Sequence, residues 1–136
     1  MGEMIRRPTK FRTFKMGAAN VIEVTGRFIS DDNNDELNNI INKYVSSGEK
    51  NFLIDLSGVT FISSTGVGSL IQALRLIQRE EGQLKLLNPS QCVRQIIAIS
   101  KLDDIFEIYT DEQTAIMSFD QPPKEDSPKK RKKKTE

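Results

Sequence analysis

The chain has 136 residues, of which 29% are charged and 37% hydrophobic, with no histidine and one cysteine. Without histidine there is no His general base, no Ser-His-Asp or Cys-His nucleophile and no His metal ligand; Cys92 alone makes neither an intramolecular disulfide nor a thiolate zinc cluster. Nowhere do about 18 apolar residues run together, so no integral membrane span is expected, and residues 1–15 lack the apolar region of a secretory signal. The expected location is cytoplasmic.

Taken in chain order, residues 10–15 alternate polar positions with Phe11 and Phe14 and predict an edge strand, and residues 21–25, closed by Gly26, predict a second. Residues 31–36 supply caps and first-turn acids suited to the positive end of a helix dipole. Leu37, Ile40, Ile41, Tyr44 and Val45 then mark one helical face, stopped at Ser46-Ser47-Gly48. The nearly unbroken apolar run 52–56 suits a strand covered on both faces. Ser57-Gly58 reads as a turn and residues 59–62 as a short apolar link. After Ser63-Ser64-Thr65, a helix shows Val67, Leu70, Ile71, Leu74 and Ile77 on one side and ends at Gly82. Residues 84–87 predict a strand, and Asn88-Pro89 a helix with Pro at its first position, carrying Cys92, Val93, Ile96, Ile97 and Ile99. A short strand around residues 106–108 and a helix opened by a capping box at residues 110–113, running through Ile116 and Phe119, complete the pattern.

The predicted order is β-β-α-β-α-β-α-β-α. Repeated βα units imply an α/β fold with a mixed, mostly parallel sheet, right-handed crossovers and helices packed on the sheet, the opening β-β pair adding an antiparallel element. Residues 1–120 hold 13 Lys and Arg against 16 Asp and Glu, a net charge of −3, whereas residues 121–136 hold seven against three, a net charge of +4. The expected organisation is an N-terminal extension over residues 1–9, one folded domain over 10–119, and a basic tail over 120–136. The tail has nothing apolar to bury against its ordering entropy and is read as disordered.

The stretch from Asp55 to Ser69 leads from a buried strand through three consecutive hydroxyls into a helix with Gly66 and Gly68 in its first turns. Two readings fit these residues. In one, Ser64 or Thr65 caps the helix and the glycines pack against a neighbour. In the other, a hydroxyl is a phosphoacceptor. A helix N-terminus offers free N–H groups and the positive end of the dipole, so a phosphate there is tolerated by the fold. A partner lying over the same spot would have to desolvate a nearly doubly charged group, and about 3 kcal/mol of such cost lowers affinity about a hundredfold.

These residues resemble the signature of the STAS domain family, in particular bacterial anti-sigma factor antagonists. The family shows an apolar strand with "D-L-S-x-V-x-F", matched by Asp55, Leu56, Ser57, Val59 and Phe61. Its "D-S-S/T-G-L-G" at the helix start is matched by Ser63, Ser64, Thr65, Gly66, Val67 and Gly68. Residues 84–89 and 102–109 are similar to two further family blocks in the same order. The resemblance implies a STAS-like fold and a non-enzymatic role in partner switching, with no cofactor. The unphosphorylated antagonist binds an anti-sigma factor that is also a serine kinase of the histidine-kinase-like ATPase type. Phosphorylation at Ser64 releases it, and a metal-dependent serine phosphatase restores binding. Ser63 stands where the family has Asp, which leaves Thr65 or Ser63 as alternative acceptors. The expected partner surface comprises Ser57, Gly58, Ser63, Ser64, Thr65 and Gly66 with Ser69, Gln72 and Arg75 on the exposed side of the helix. The alternative reading is a non-phosphorylated STAS scaffold, or a ligand-binding subunit, of a larger signalling or transport complex.

Other features carry less. Asp55 ends a predicted strand as a receiver phosphoaspartate would, with Asp31-Asp32 as imagined magnesium ligands, but these acids also suit a helix start. Cys92 reads as core packing, and Gly66-x-Gly68 lacks the lysine and third glycine of a nucleotide loop. The run from Lys129 to Lys134 is a candidate contact for nucleic acid or anionic lipid, set against a solvated tail.

Overall fold

A computed structural model describes residues 9–28 and 31–120; the expected N-terminal extension and the basic tail fall almost wholly outside that range. Five strands, β1 (Lys10–Met16), β2 (Ala19–Phe28), β3 (Asn51–Ile62), β4 (Gln83–Leu87) and β5 (Glu107–Tyr109), hydrogen-bond in sequential order. β1 runs antiparallel to β2 through a hairpin at Gly17, and every other pair is parallel. Helices α1 (Asp31–Ser46), α2 (Ser64–Arg79), α3 (Gln91–Ser100) and α4 (Glu112–Ser118) join or follow the strands, with a single 3-10 turn at Leu102–Asp104. The order is the one the hydrophobic pattern predicts.

Alternation along the strands divides the core in two. Ile22, Val24, Phe52, Ile54, Leu56, Leu84 and Leu86 point to the face covered by α1, α2 and α3, where they meet Leu37, Ile41, Leu70, Ala73, Ile77, Val93 and Ile97. Ala19, Val21, Leu53 and Leu87 point to the opposite face, under Ala115 and Phe119 of α4 and its C-cap. Both faces being covered explains the unbroken apolar run in β3. Each fully buried large side chain contributes roughly 1.5–3 kcal/mol of transfer free energy.

Several predicted boundaries move. β2 passes through Gly26, which has φ +92°, and continues to Phe28. β3 is likewise continuous to Ile62, so Ser57-Gly58 is not a turn and residues 59–62 are not a link. The physical reason is a pair of register shifts: β3 uses three residues from Asp55 to Gly58 where β2 uses two, and two from Val59 to Phe61 where β2 uses one. Bulges absorb extra residues without ending the strand. β4 stops pairing at Asp55–Leu87, and beyond that point Ser90 replaces it: its N–H reaches Leu56 O at 3.3 Å and its Oγ donates to Val59 O at 2.7 Å. α3 accordingly starts at Gln91 with Ser90 as N-cap, and Pro89 precedes the cap rather than opening the helix. In α4 the cap is Asp111, whose carboxylate accepts from Thr114 N at 2.8 Å, so the predicted box at residues 110–113 is displaced by one position. Ile99 is 78% exposed, off the apolar face of α3.

Candidate functional site

The site forms where β2 and β3 end together. Phe28 pairs with Ile62, and Ser63 N donates to Phe28 O at 3.2 Å, so the chain leaves β3 held against the last residue of β2. Ser63 then adopts extended backbone, φ −100° and ψ 175°, and its Oγ accepts from Gly66 N at 3.2 Å. Val67 N bonds to Ser63 O at 2.9 Å. Ser63 is therefore the N-cap of α2, rather than Ser64 or Thr65, and performs with a hydroxyl what a carboxylate also does at this position. Ser64 and Thr65 follow as the first two helical residues, and both are exposed.

Gly66 and Gly68 have different roles. A Cβ on Gly66 would sit 2.3 Å from Phe28 O and 2.8 Å from Ile62 Cγ1, so only glycine lets the helix start approach the sheet this closely. A Cβ on Gly68 would meet nothing within 4 Å. At 100° per residue, Ser64, Gly68, Gln72 and Arg75 fall within one stripe about 80° wide on the solvent side of α2. Gln72 and Arg75 are exposed there, and the first turn of α2 carries no acid.

Ser69 departs from its expected place. It is 2% exposed, and its Oγ donates to Thr65 O at 3.0 Å, one turn back on the same helix. It lies about 100° around the helix from Gly68, turned toward Leu70 and Ala73, so it belongs to the packed face and not to the exposed side of the helix where it was expected.

Ser57 and Gly58 stand on the bulged part of β3 and are tied to other neighbours than the helix start. Ser57 is exposed, with its N–H and Oγ both donating to Asp55 Oδ1 at 3.0 and 2.8 Å, and a Cβ on Gly58 would lie 2.7 Å from Thr25 Cγ2. Asp55 itself lies within β3, not at its end, with Oδ1 engaged by Ser57. The side chains of Asp31 and Asp32 lie outside the described set. Cys92 is half-buried, packs against the main core and lies 3.7 Å from Val59 O.

One residue of the signature, Phe61, is exposed at this end of the sheet, which the sequence pattern does not indicate. Phe61, two residues before the cap, is 48% exposed and lies under the Arg27 guanidinium at 5.6 Å. The second bulge falls at this point of β3, between Val59 and Phe61, and breaks the alternation that would bury Phe61.

The STAS domain family matches residues 16–115, and the chain belongs to that family. Within it, similarity runs to anti-sigma factor antagonists. A Thermotoga neapolitana protein bearing that name is 27% identical over 70 residues, which cover 52% of this chain and 62% of that protein, so the match spans less than two thirds of the relative's length. Among solved structures, an anti-sigma factor antagonist from Mycobacterium paratuberculosis superposes with a TM-score of 0.72 at 22% identity, covering 84% of this chain and 96% of that one. The Bacillus cell fate determinant SpoIIAA in its phosphorylated form superposes with a TM-score of 0.64 at 22% identity, covering 80% and 98%. The STAS fold thus extends over the described domain. Among the described residues no helix is long and apolar enough to cross a membrane.

Proposed function

We propose that this chain is an anti-sigma factor antagonist that works by partner switching, with Ser64 as the phosphoacceptor. The observation that carries this reading is the division of labour at the start of α2: Ser63 makes the cap bond, and Ser64 stands beside it exposed. A phosphate on Ser64 costs the fold none of the bonds that hold the helix start. It lies at the positive end of α2, where a negative group is stabilising by about 0.3–1 kcal/mol at an exposed site. Partner binding carries the cost, because a surface closing over the Ser64–Gly68–Gln72–Arg75 stripe would desolvate the phosphate. Membership of the STAS family and the names of its similar relatives support the same role.

In this scheme the chain is a substrate and not a catalyst. Its partners are a serine kinase of the histidine-kinase-like ATPase type, which doubles as the anti-sigma factor, and a metal-dependent serine phosphatase that resets the switch. The test is incubation of the full chain with ATP and such a kinase from the same genome, followed by peptide mass spectrometry. One phosphate on Ser64, absent in Ser64→Ala, is the expected result, and Ser64→Ala remains bound to the kinase when ATP is added. A phosphate mapped to Thr65 moves the acceptor by one residue. An unmodified chain beside a kinase that is demonstrably active overturns the switch and favours the scaffold reading.

A further inference from the structure

The opposite side of the sheet holds a buried cation that the switch does not use. Lys85, at the centre of β4, is 3% exposed. Its Nζ donates to Ser118 Oγ at 2.8 Å and to Ser118 O at 3.3 Å, and Glu107 Oε1 lies 3.5 Å away. The same ammonium stands 4.6 Å from the Phe119 ring centroid and 5.7 Å from that of Tyr109, whose hydroxyl donates to Glu107 Oε1 at 2.8 Å. Ser118 is the last residue of α4 and Phe119 its C-cap. The cation therefore meets α4 where the helix dipole is negative and the terminal carbonyls lack helical partners.

α4 is too short to be stable without tertiary contacts. It has seven residues, whereas isolated helices shorter than about 12–15 residues are marginal in water. Among the described helices, α4 covers the face of Val21, Leu53 and Leu87 while the other three share the opposite face. Its other attachments are Ala115 and Phe119, buried on the sheet, and Ile116, whose Cγ2 lies 2.7 Å from where a Gly17 Cβ would stand. A buried charge is a costly way to gain stability alone, since an apolar residue of the same volume is often as good or better. A charge does impose direction: its two hydrogen bonds to Ser118 form when the carbonyl end of α4 is seated over β4.

We propose that Lys85 is a latch that seats α4, making this helix a cover that opens separately from the rest of the domain. Lys85 acts through Ser118 and Phe119 and is a positioning residue.

The test is amide hydrogen exchange of the full chain, read by peptide mass spectrometry, for the wild type, Lys85→Met and Ser118→Ala. In the wild type, amides of residues 115–120 exchange faster than those of β2 and β3. In Lys85→Met they speed up about tenfold or more, while β2 and β3 stay within about twofold; Ser118→Ala, which removes one of the two Ser118 acceptors, gives a smaller change in the same direction. Equal acceleration throughout the domain would make Lys85 an ordinary support of the global fold and overturn the proposal. Unchanged or slower exchange in α4 would overturn it as well.

Discussion

The carbonyl oxygen of Phe28 lies where the α-carbon of Gly66 leaves no room for a side chain: a Cβ there would come within 2.3 Å of it. The same oxygen accepts the N–H of Ser63. The end of β2 thus sets both the position of the α2 cap and the closeness of its first turn, and Ser64 is presented between these two contacts.

Gly66→Ala must push backbone against backbone, since Phe28 O cannot swing away as a side chain end does. A loss of about 1–3 kcal/mol is expected from overpacking of this kind. Gly68→Ala has open space at the Cβ and ordinary helical backbone, so the propensity gain of about 0.5–1 kcal/mol should appear undiminished. Urea unfolding of the two variants therefore moves in opposite directions from the wild-type midpoint.

Ser63 gives a second, chemically separate handle. Ser63→Ala removes the bond to Gly66 N and is expected to cost about 0.5–2 kcal/mol. Ser63→Asp keeps a capping oxygen and adds a charge at the positive helix end, so stability is retained or rises slightly. Combined with phosphate on Ser64 the benefit reverses, because two adjacent anions share one helix terminus. Thermal melts of Ser63→Asp with and without Ser64 phosphorylation check this: phosphorylation lowers its Tm relative to the effect on the wild type.

How much of this was legible before the structure depends on what set each feature. The hydrophobic alternation in β2 and the 3.6-residue spacing in α2 come from burial alone, and the element order follows from them. The capping hydroxyls were visible as a group, but three in a row do not say which one accepts from the backbone; the Phe28 contact to Ser63 decides it. Ser69 was misplaced because serine is counted as polar, while its bond to Thr65 O satisfies the hydroxyl locally and lets it be buried. The bulges in β3 and the seating of Lys85 are set by contacts between residues about 20–35 positions apart, as from Ser90 to Val59 and from Lys85 to Ser118, and no local spacing announces them.

The opposite end of the sheet carries a pH-sensitive staple. Asn20, itself buried, donates to Glu49 Oε1 at 2.9 Å and to Asn51 O at 3.0 Å, and Lys15 Nζ reaches Glu49 Oε1 at 2.9 Å. The Asn20 bond first, and the Lys15 bond second, hold the Glu49 carboxyl below its ordinary value of 4.5. A carboxylate depressed in the folded state contributes stability that is fully present above the unfolded value and is lost as pH falls through the folded one. Urea midpoints measured between about pH 3 and pH 6 should fall on the acid side. Glu49→Gln should flatten that limb while leaving the midpoint near pH 7 lower than wild type.

Phe61 offers a test that separates the proposed partner face from the fold. Roughly half of its surface is exposed, under the Arg27 guanidinium, and an exposed aromatic–cation pair contributes only about 0.5–1 kcal/mol to stability. Phe61→Ala, which also loses the buried half of the ring, should lower the urea midpoint by the equivalent of about 1–3 kcal/mol and leave the domain folded. Aromatic side chains including Phe are enriched in interfaces, and truncating one that anchors an interface costs about 1.4 kcal/mol or more, about tenfold in affinity. If Phe61 belongs to the proposed docking surface, titration of Phe61→Ala against the proposed kinase partner should show at least that loss. An affinity equal to wild type, in a variant that still folds, would place the docking surface on the α2 stripe alone and leave Phe61 outside it.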